Sequence, residues 1–319
     1  MLSDKNVLIT GGYGFIGSNL VRHIVENSLA ERIAVIDRVH SENSNKMERL
    51  NDIENKFTII KEDIRNIKDS DKHFSDIDVI FHQAAFVSVP ESIKKPSETI
   101  ETNVMGTVKL LEACRKNDIE RFVSASSAAV YGDQEIIPIK ETAELKPTSP
   151  YGLSKLMAED YCRIYSKLYG IKTVSLRYFN VYGPEQAFRR YPSVLSTLFH
   201  SMKDSKPFTI YGDGEQTRDY IHISDVVQAN LLAASSKNLT KGEAVNIATG
   251  STVSLNNLIK LVKDITNRDI EVSHSSPRKG DLLHSVADVS MAREALGFGA
   301  KVSIEDGLKK TCNLLLSSD

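Results

Sequence analysis

"VLITGGYGFIGSNL", residues 7–20, decides the fold. A short apolar run, Val7 to Thr10, meets Gly11, Gly14 and Gly17, and an amphipathic stretch containing Phe15, Ile16 and Leu20 follows. A strand that passes through such a turn into a helix lets backbone N–H groups approach a pyrophosphate at the helix N-terminus. Glycine alone is a weak signal, but here the strand and the helix stand on the required sides. A second strand-like run, "IAVID" (33–37), closes on Asp37, 20 residues after Gly17. A carboxylate there accepts a ribose 2′-hydroxyl and repels a 2′-phosphate. The expectation is a dinucleotide site built on Gly11, Gly14, Phe15, Ile16, Gly17 and Asp37, with NAD favoured over NADP. Arg38 is the neighbour that argues the other way, since a nearby Arg can accept the phosphate.

The same rhythm continues outward. "NVLIT" (6–10), "IAVID" (33–37), "FTII" (57–60), "DVIFH" (78–82), "RFVSAS" (121–126) and "TVSLRY" (173–178) have the continuous apolar character of strands buried on both faces. Helical patterns lie between them, over residues 15–26, 96–116 and 150–169. Alternation of this kind predicts an α/β fold, a Rossmann-type doubly wound parallel sheet covered by helices on both faces. After about residue 180 the alternation breaks at Pro184, Pro192 and Pro207 and at Gly212 and Gly214. The division expected is a nucleotide-binding domain over residues 1–178, with returns near 219–249, and a smaller α/β substrate domain over 179–218 and 250–319.

Composition narrows the function classes. The 319 residues are 41% hydrophobic and 26% charged with a net charge of −2, so nothing draws the chain to nucleic acid or an anionic membrane. Cys114, Cys162 and Cys312 are odd in number and far apart, against a disulfide framework. No two of the eight histidines are closer than nine positions, so no helical His-x-x-x-His metal pair exists. No apolar run reaches the roughly 18 residues of a membrane span. A strand beginning at Asn6 leaves no room for a signal peptide, and the expected setting is cytoplasmic.

One further stretch carries chemistry. In "SPYGLSK" (149–155), Tyr151 and Lys155 are four apart and share a helix face. Two readings are open at this point: a Tyr packed on the aliphatic stem of a surface Lys, or a phenol drawn toward neutral pKa by a fixed cation so that it can exchange a proton with a hydroxyl.

Taken together, these blocks resemble the extended short-chain dehydrogenase/reductase family over nearly the whole chain. The resemblance rests on Gly11-x-x-Gly14-x-x-Gly17, "EDIRN" (62–66), "HQAA" (82–85), Asn103, "SASSAAVYG" (124–132), "SPYGLSK" and "LRYFNVYGP" (176–184). Within that family it is similar to the nucleotide-sugar 4-epimerases, through "IYGDGEQTRDYIHISDVV" (210–227), "NIATG" (246–250) and "RKGDLLHSVADVS" (278–290). The resemblance implies an NAD-dependent isomerase acting on a UDP-sugar. It assigns adenosine and ribose contacts to Asp37, Asp63 and Ile64, and the nicotinamide surroundings to Ala84, Ala85, Asn103, Tyr151, Lys155 and Phe179. The UDP-sugar would lie against Ser127, Tyr151, Asn180, Tyr211, Arg218, Arg278, Asp281 and Ser285. Many galactose-type members carry a Lys where this chain has Val87, so that basic contact is missing here.

Ser127, Tyr151 and Lys155 are then the expected catalytic set, with no metal. Tyr151 would take the proton of the sugar 4-hydroxyl, Ser127 would hydrogen-bond and relay it, and Lys155 would lower the phenol pKa. Relatives that dehydrate or decarboxylate resemble a pattern with Asp-Glu or Ser-Glu directly after the Ser or Thr; here those positions are Ala128 and Ala129. The substrate expected is UDP-N-acetylglucosamine with UDP-N-acetylgalactosamine, together with UDP-glucose and UDP-galactose, because Ser285 is small where glucose-restricted members resemble a Tyr. An enzyme limited to UDP-glucose and UDP-galactose, one acting on a UDP-uronic acid, and a non-catalytic NAD sensor are the alternatives. Apolar residues on more than one side of 96–116 and 150–169, among them Leu153, Leu156, Met157, Ile164 and Leu168, suggest a homodimer seam.

Overall fold

The computed structural model describes residues 2–38, 49–184, 186, 193–204, 206–277 and 283–316. Seven parallel strands form the central sheet: β1 (Asn6–Thr10), β2 (Arg32–Asp37), β3 (Thr58–Lys61), β4 (Val79–His82), β5 (Arg121–Ser127), β6 (Lys172–Tyr178) and β7 (Glu243–Ile247). Their order is β7-β6-β5-β4-β1-β2-β3. The doubly wound expectation is met, and the order reverses between β1 and β4, where open α/β sheets leave a crevice at the C-terminal strand ends.

Side-chain alternation explains the two-sided cover. Val7 and Ile9 of β1 face one layer, with Leu20, Val21 and Ile24 of α1 (Phe15–Glu26) and residues of the helix Ile223–Ser235. Leu8 faces the other, with Leu110 and Leu111 of the helix Gly106–Lys116 and Cys162 of the helix Pro150–Tyr169. Truncating such a buried aliphatic side chain to Ala costs about 2–5 kcal/mol.

The stretch 96–116 is not one regular helix. Pro96–Ile100 and Gly106–Lys116 are joined by a π turn over Glu101–Met105. The turn carries Asn103, whose side chain grips the backbone of Phe86 from both sides: Oδ1 accepts from its N–H at 2.7 Å and Nδ2 donates to its carbonyl at 3.0 Å. The helix Pro150–Tyr169 starts cleanly because Ser149 caps it, accepting from the Gly152 N–H, with Pro150 in its first turn, and it stops at Gly170 with φ +74°.

One charged pair is buried inside this frame. Arg177 donates to Glu159 through Nε at 3.0 Å and Nη2 at 2.7 Å, with side chains only 4% and 7% exposed. Ser126 also donates to Glu159, and Arg177 donates to the Tyr131 hydroxyl.

Beyond β6 the chain builds a second apolar core from Tyr182, Leu195, Leu198, Phe208, Leu258, Val262 and Leu308. Three small sheets accompany it. Asn180–Tyr182 pairs with Tyr220–His222, Phe208–Tyr211 pairs with Val272–Ser275, and Thr217–Arg218 lies between Val253–Ser254 and His284–Ser285.

Candidate active site

The C-terminal ends of β1, β2, β4, β5 and β6 deliver Gly11, Asp37, Ala84, Ser127 and Phe179 to one edge of the sheet. At the first of these the backbone leaves no room for side chains. Gly11 has φ +68°, and a Cβ there would stand 2.7 Å from the Ala84 backbone. The turn is tied by the Gly14 N–H donating to the Gly11 carbonyl at 2.8 Å. Asp37 accepts from the Tyr13 N–H at 2.8 Å, which fixes its carboxylate beside the glycine turn. Helix α1 opens with no side-chain cap and no acidic residue in its first turn, so its positive end faces the crevice. A cradle of bare backbone, an uncapped helix start and a carboxylate beside it suit the pyrophosphate and ribose of a dinucleotide.

The next contacts are more engaged with the protein than expected. Asp63 accepts from the Arg65 backbone N–H at 2.9 Å and from its Nη2 at 2.6 Å, with Arg38 at 3.5 Å. Burial works to raise the Asp63 carboxyl, yet these hydrogen bonds hold it below its ordinary value. Arg38 is thereby drawn to Asp63. The Ile64 side chain is core, packed against Gly106, so only its backbone is left for a ligand. Phe179 is buried beside Tyr131 with ring centroids 6.4 Å apart.

The catalytic candidates converge. Ser127 ends β5 and accepts from the Ala129 N–H at 3.2 Å, capping the short turn that follows. The strand-end cap and the active-site position are therefore the same residue. Tyr151 enters from the first turn of its helix, its N–H donating to Ser92 Oγ at 3.2 Å, and the Ser127 hydroxyl is the group that acts to lower the pKa of its buried phenol. Lys155 is buried one helical turn on, and its ammonium donates to the Ala125 carbonyl at 2.8 Å.

In the protein alone, burial dominates both groups. Burial raises the Tyr151 pKa above 10, and the Ser127 hydrogen bond is the group that opposes it. Burial also lowers Lys155 to about 8, with Glu159 pulling it back up. The physical reason is that the ammonium is turned toward a backbone carbonyl and both groups sit in a low-dielectric interior.

The substrate end is organised by a residue that sequence reading passed over. Asp219, fully buried, accepts from the Thr249 N–H at 2.9 Å, the Thr249 hydroxyl at 2.7 Å and the Gly250 N–H at 2.9 Å. Its backbone carbonyl takes the Asn180 N–H at 3.0 Å, and its own N–H donates to the Ser285 carbonyl at 3.0 Å. Asn180 and Ser285 are thus pinned to the backbone of Asp219, next to Arg218. Ser285 is buried and lies in register with Arg218 on the neighbouring strand. Tyr211 closes its strand, its carbonyl accepting from Gln216 at 3.2 Å. Arg278 and Asp281 lie outside the described residues. Gly152 was also missed, and the only hint in sequence was its place inside the Tyr–Lys motif.

Residues 7–248 match the NAD dependent epimerase/dehydratase family. The chain belongs to that family. NAD is its cofactor, and the cradle at Gly11 and Asp37 is where the structure suits it. This family member is 37% identical over 316 residues to a putative UDP-glucose 4-epimerase of Methanocaldococcus jannaschii, covering 98% of this chain and 99% of that one. In structure it is similar to a UDP-N-acetylglucosamine 4-epimerase of Methanobrevibacter ruminantium in complex with UDP-N-acetylmuramic acid, with a TM-score of 0.92 and 35% identity over all of both chains. A UDP-glucuronic acid 4-epimerase of Bacillus cereus, in complex with UDP-glucuronic acid and NAD, has a TM-score of 0.90 and 33% identity, covering 98% of this chain and 100% of that one. Among the described residues, no helix is long and apolar enough to cross a membrane, and no group of three or more His, Cys, Asp or Glu could hold a metal ion.

Proposed function

We propose that this enzyme is a UDP-sugar 4-epimerase that interconverts UDP-N-acetylglucosamine and UDP-N-acetylgalactosamine, and also UDP-glucose and UDP-galactose, through a transient 4-keto sugar. The observation that supports the reaction is Ser127 at the end of its strand with Tyr151 and buried Lys155 on the helix packed against that strand. Tyr151 takes the proton from the sugar 4-hydroxyl, and Ser127 hydrogen-bonds the same oxygen and passes the proton along. Lys155 supplies the cation that offsets the phenolate. Gly11, Gly14 and Asp37 would hold NAD, which would supply the hydride acceptor and donor for C4 of the sugar. Between the two events the keto sugar turns about its bond to the diphosphate, which Arg218 and Asn180 hold. Ala128 and Ala129 carry no acid for elimination at C5 and C6.

Ser285 supports the acetamido sugars. Its small side chain is buried next to Arg218 in register, so a substrate held by Arg218 meets it. His284, the bulky neighbour, is exposed and paired with the Thr217 hydroxyl at 3.0 Å, which keeps it out of that space.

The test is turnover with each UDP-sugar, and with UDP-glucuronic acid, without added cofactor. Formation of both 4-epimers in the acetamido and plain pairs is expected, and Tyr151→Phe abolishes it while NAD stays bound. Turnover of UDP-glucuronic acid alone would replace this substrate assignment, and no turnover of any of them with NAD supplied would favour a sensor.

The enzyme works as a homodimer in this reading. Leu153, Ile164 and Leu168 form an exposed apolar stripe along one helix, beside exposed Ile93 and Ile100 on the helices packed against it. Leu156 does not belong to the stripe, since it packs inward against the cluster around Tyr131. Leu153→Glu with Leu168→Glu is expected to halve the mass measured by light scattering; an unchanged mass places the seam elsewhere.

A further inference from the structure

His82 is entirely buried, and it sits between two hydroxyls: Thr10 Oγ1 at 2.7 Å from Nδ1 and Thr107 Oγ1 at 3.0 Å from Nε2. The proton count along this line settles which nitrogen carries hydrogen. Thr107 has one hydroxyl proton and donates it to the Asn103 carbonyl at 2.6 Å, an atom that can only accept. Thr107 Oγ1 must therefore accept from His82, so Nε2 bears the hydrogen. A neutral ring then offers a lone pair at Nδ1, to which the Thr10 hydroxyl donates. The Thr10 oxygen remains an acceptor, and the Ala84 N–H donates to it at 3.2 Å.

A second line starts from the side chain of the same Asn103. Ser154 gives its only hydroxyl proton to the Tyr151 carbonyl at 2.7 Å, so it accepts from Asn103 Nδ2 at 2.9 Å. That orients the Asn103 amide with Oδ1 toward the Phe86 N–H, in agreement with the contact seen there. No donor or acceptor along the path is left over. Burial keeps the ring neutral by lowering its pKa to about 3, and Lys155 adds to that direction.

We propose that His82, as the neutral Nε2–H tautomer, is a positioning residue that sets the direction of a hydrogen-bonded line from Ala84 through Thr10 and Thr107 to the Asn103 carbonyl, and so fixes the π turn whose Asn103 side chain reaches Ser154 beside Tyr151. Its work is to hold the cofactor cradle and the catalytic helix in a single register. A ring with hydrogen on Nδ1 would leave a bare Nε2 facing Thr107, whose only proton is held by the Asn103 carbonyl, among buried side chains.

The effect on turnover rests on the epimerase reading; the tautomer does not. Long-range proton–nitrogen NMR on histidine-labelled enzyme reports the tautomer directly, with His82 assigned through its contact to the Phe122 ring, 5.7 Å away. The expected result is a protonated Nε2 and bare Nδ1, unchanged from mildly acidic to mildly alkaline pH. Turnover gives the second measurement: Thr107→Val is expected to lower kcat about 10-fold or more through misplacement of Tyr151, with KM for the UDP-sugar little changed and kcat recovered in Thr107→Ser. Hydrogen on Nδ1, a charged ring, or full kcat in Thr107→Val overturns the proposal. If the wild type turns over no UDP-sugar, the epimerase reading fails while the spectrum still decides the tautomer.

Discussion

The backbone of Gly152 lies against the carbonyl of Ala129 so closely that a Cβ at position 152 would stand 2.5 Å from that oxygen. Gly152 follows Tyr151 in the helix, and Ala129 is in the turn that Ser127 caps. This contact sets how near the phenol comes to the serine hydroxyl. Gly152→Ala must push the helix off the turn, because neither atom belongs to a flexible side chain. The expected outcome is a loss in kcat of about 10- to 100-fold with NAD retained. Steady-state kinetics together with cofactor content checks it, and wild-type kcat in the variant would mean the contact does not position Tyr151.

Lys155 predicts a conflict between activity and stability. Burial lowers its pKa from 10.5 to about 8, so the unfolded chain binds the proton more readily than the folded one. The charged, buried ammonium therefore costs stability below pH 8, and the cost fades as pH rises from 8 toward 10.5. Lys155→Met is expected to raise the melting temperature by about a few degrees at neutral pH, with the gain shrinking through that window. The same variant loses the cation that offsets the phenolate. Its residual activity should be much lower, and the rising limb of its pH–rate profile should move to higher pH. A lower melting temperature at neutral pH would mean the bond to Ala125 outweighs the desolvation.

The Arg177–Glu159 pair makes a different demand. Each group is almost wholly buried, so removing one strands the other. Glu159→Leu is expected to cost about 3–5 kcal/mol, and Glu159→Leu with Arg177→Met to recover most of it, since a matched apolar pair carries no desolvation penalty. Urea unfolding at equal NAD content measures both. A double variant as unstable as the single one would show that Tyr131 and Ser126 depend on the charges.

How far the chain could be read without coordinates depended on the range of the interaction. The strands at 6–10 and 121–126 were legible because each holds a short apolar run, Val7 to Ile9 and Phe122 with Val123, where a strand is covered on both faces, and the structure extends the second only to Ser127. The helix at 150–169 was legible from Ser149, Pro150 and Gly170, which act locally. The stretch 96–116 was read as one helix because a single inserted residue barely disturbs the period, so the π turn that aims Asn103 stayed hidden. His82, Gly152 and Asp219 act on partners far along the chain, and no spacing rule announces such pairings. The family motifs pointed to Ser127, Tyr151 and Lys155, but not to where the ammonium would turn.

The last prediction concerns the sugar. Ser285 and Arg218 are partners on adjacent parallel strands, and the Asp219 N–H donates to the Ser285 carbonyl, so the backbone at 285 cannot easily withdraw. A larger side chain at that position must project into whatever space the serine now leaves beside the substrate. An acetamido group at C2 needs that volume on both sides of the keto sugar's rotation; a hydroxyl does not. Ser285→Tyr is therefore expected to reduce kcat/KM for UDP-N-acetylglucosamine and UDP-N-acetylgalactosamine by about 100-fold, of the order a pocket gains by steric rejection. UDP-glucose and UDP-galactose should keep most of their rate. The wild type should discriminate weakly between the two pairs, because a roomy pocket rejects a smaller ligand poorly. Measuring kcat/KM for both pairs in both proteins decides it. Equal losses, or none, would show that position 285 does not face the sugar.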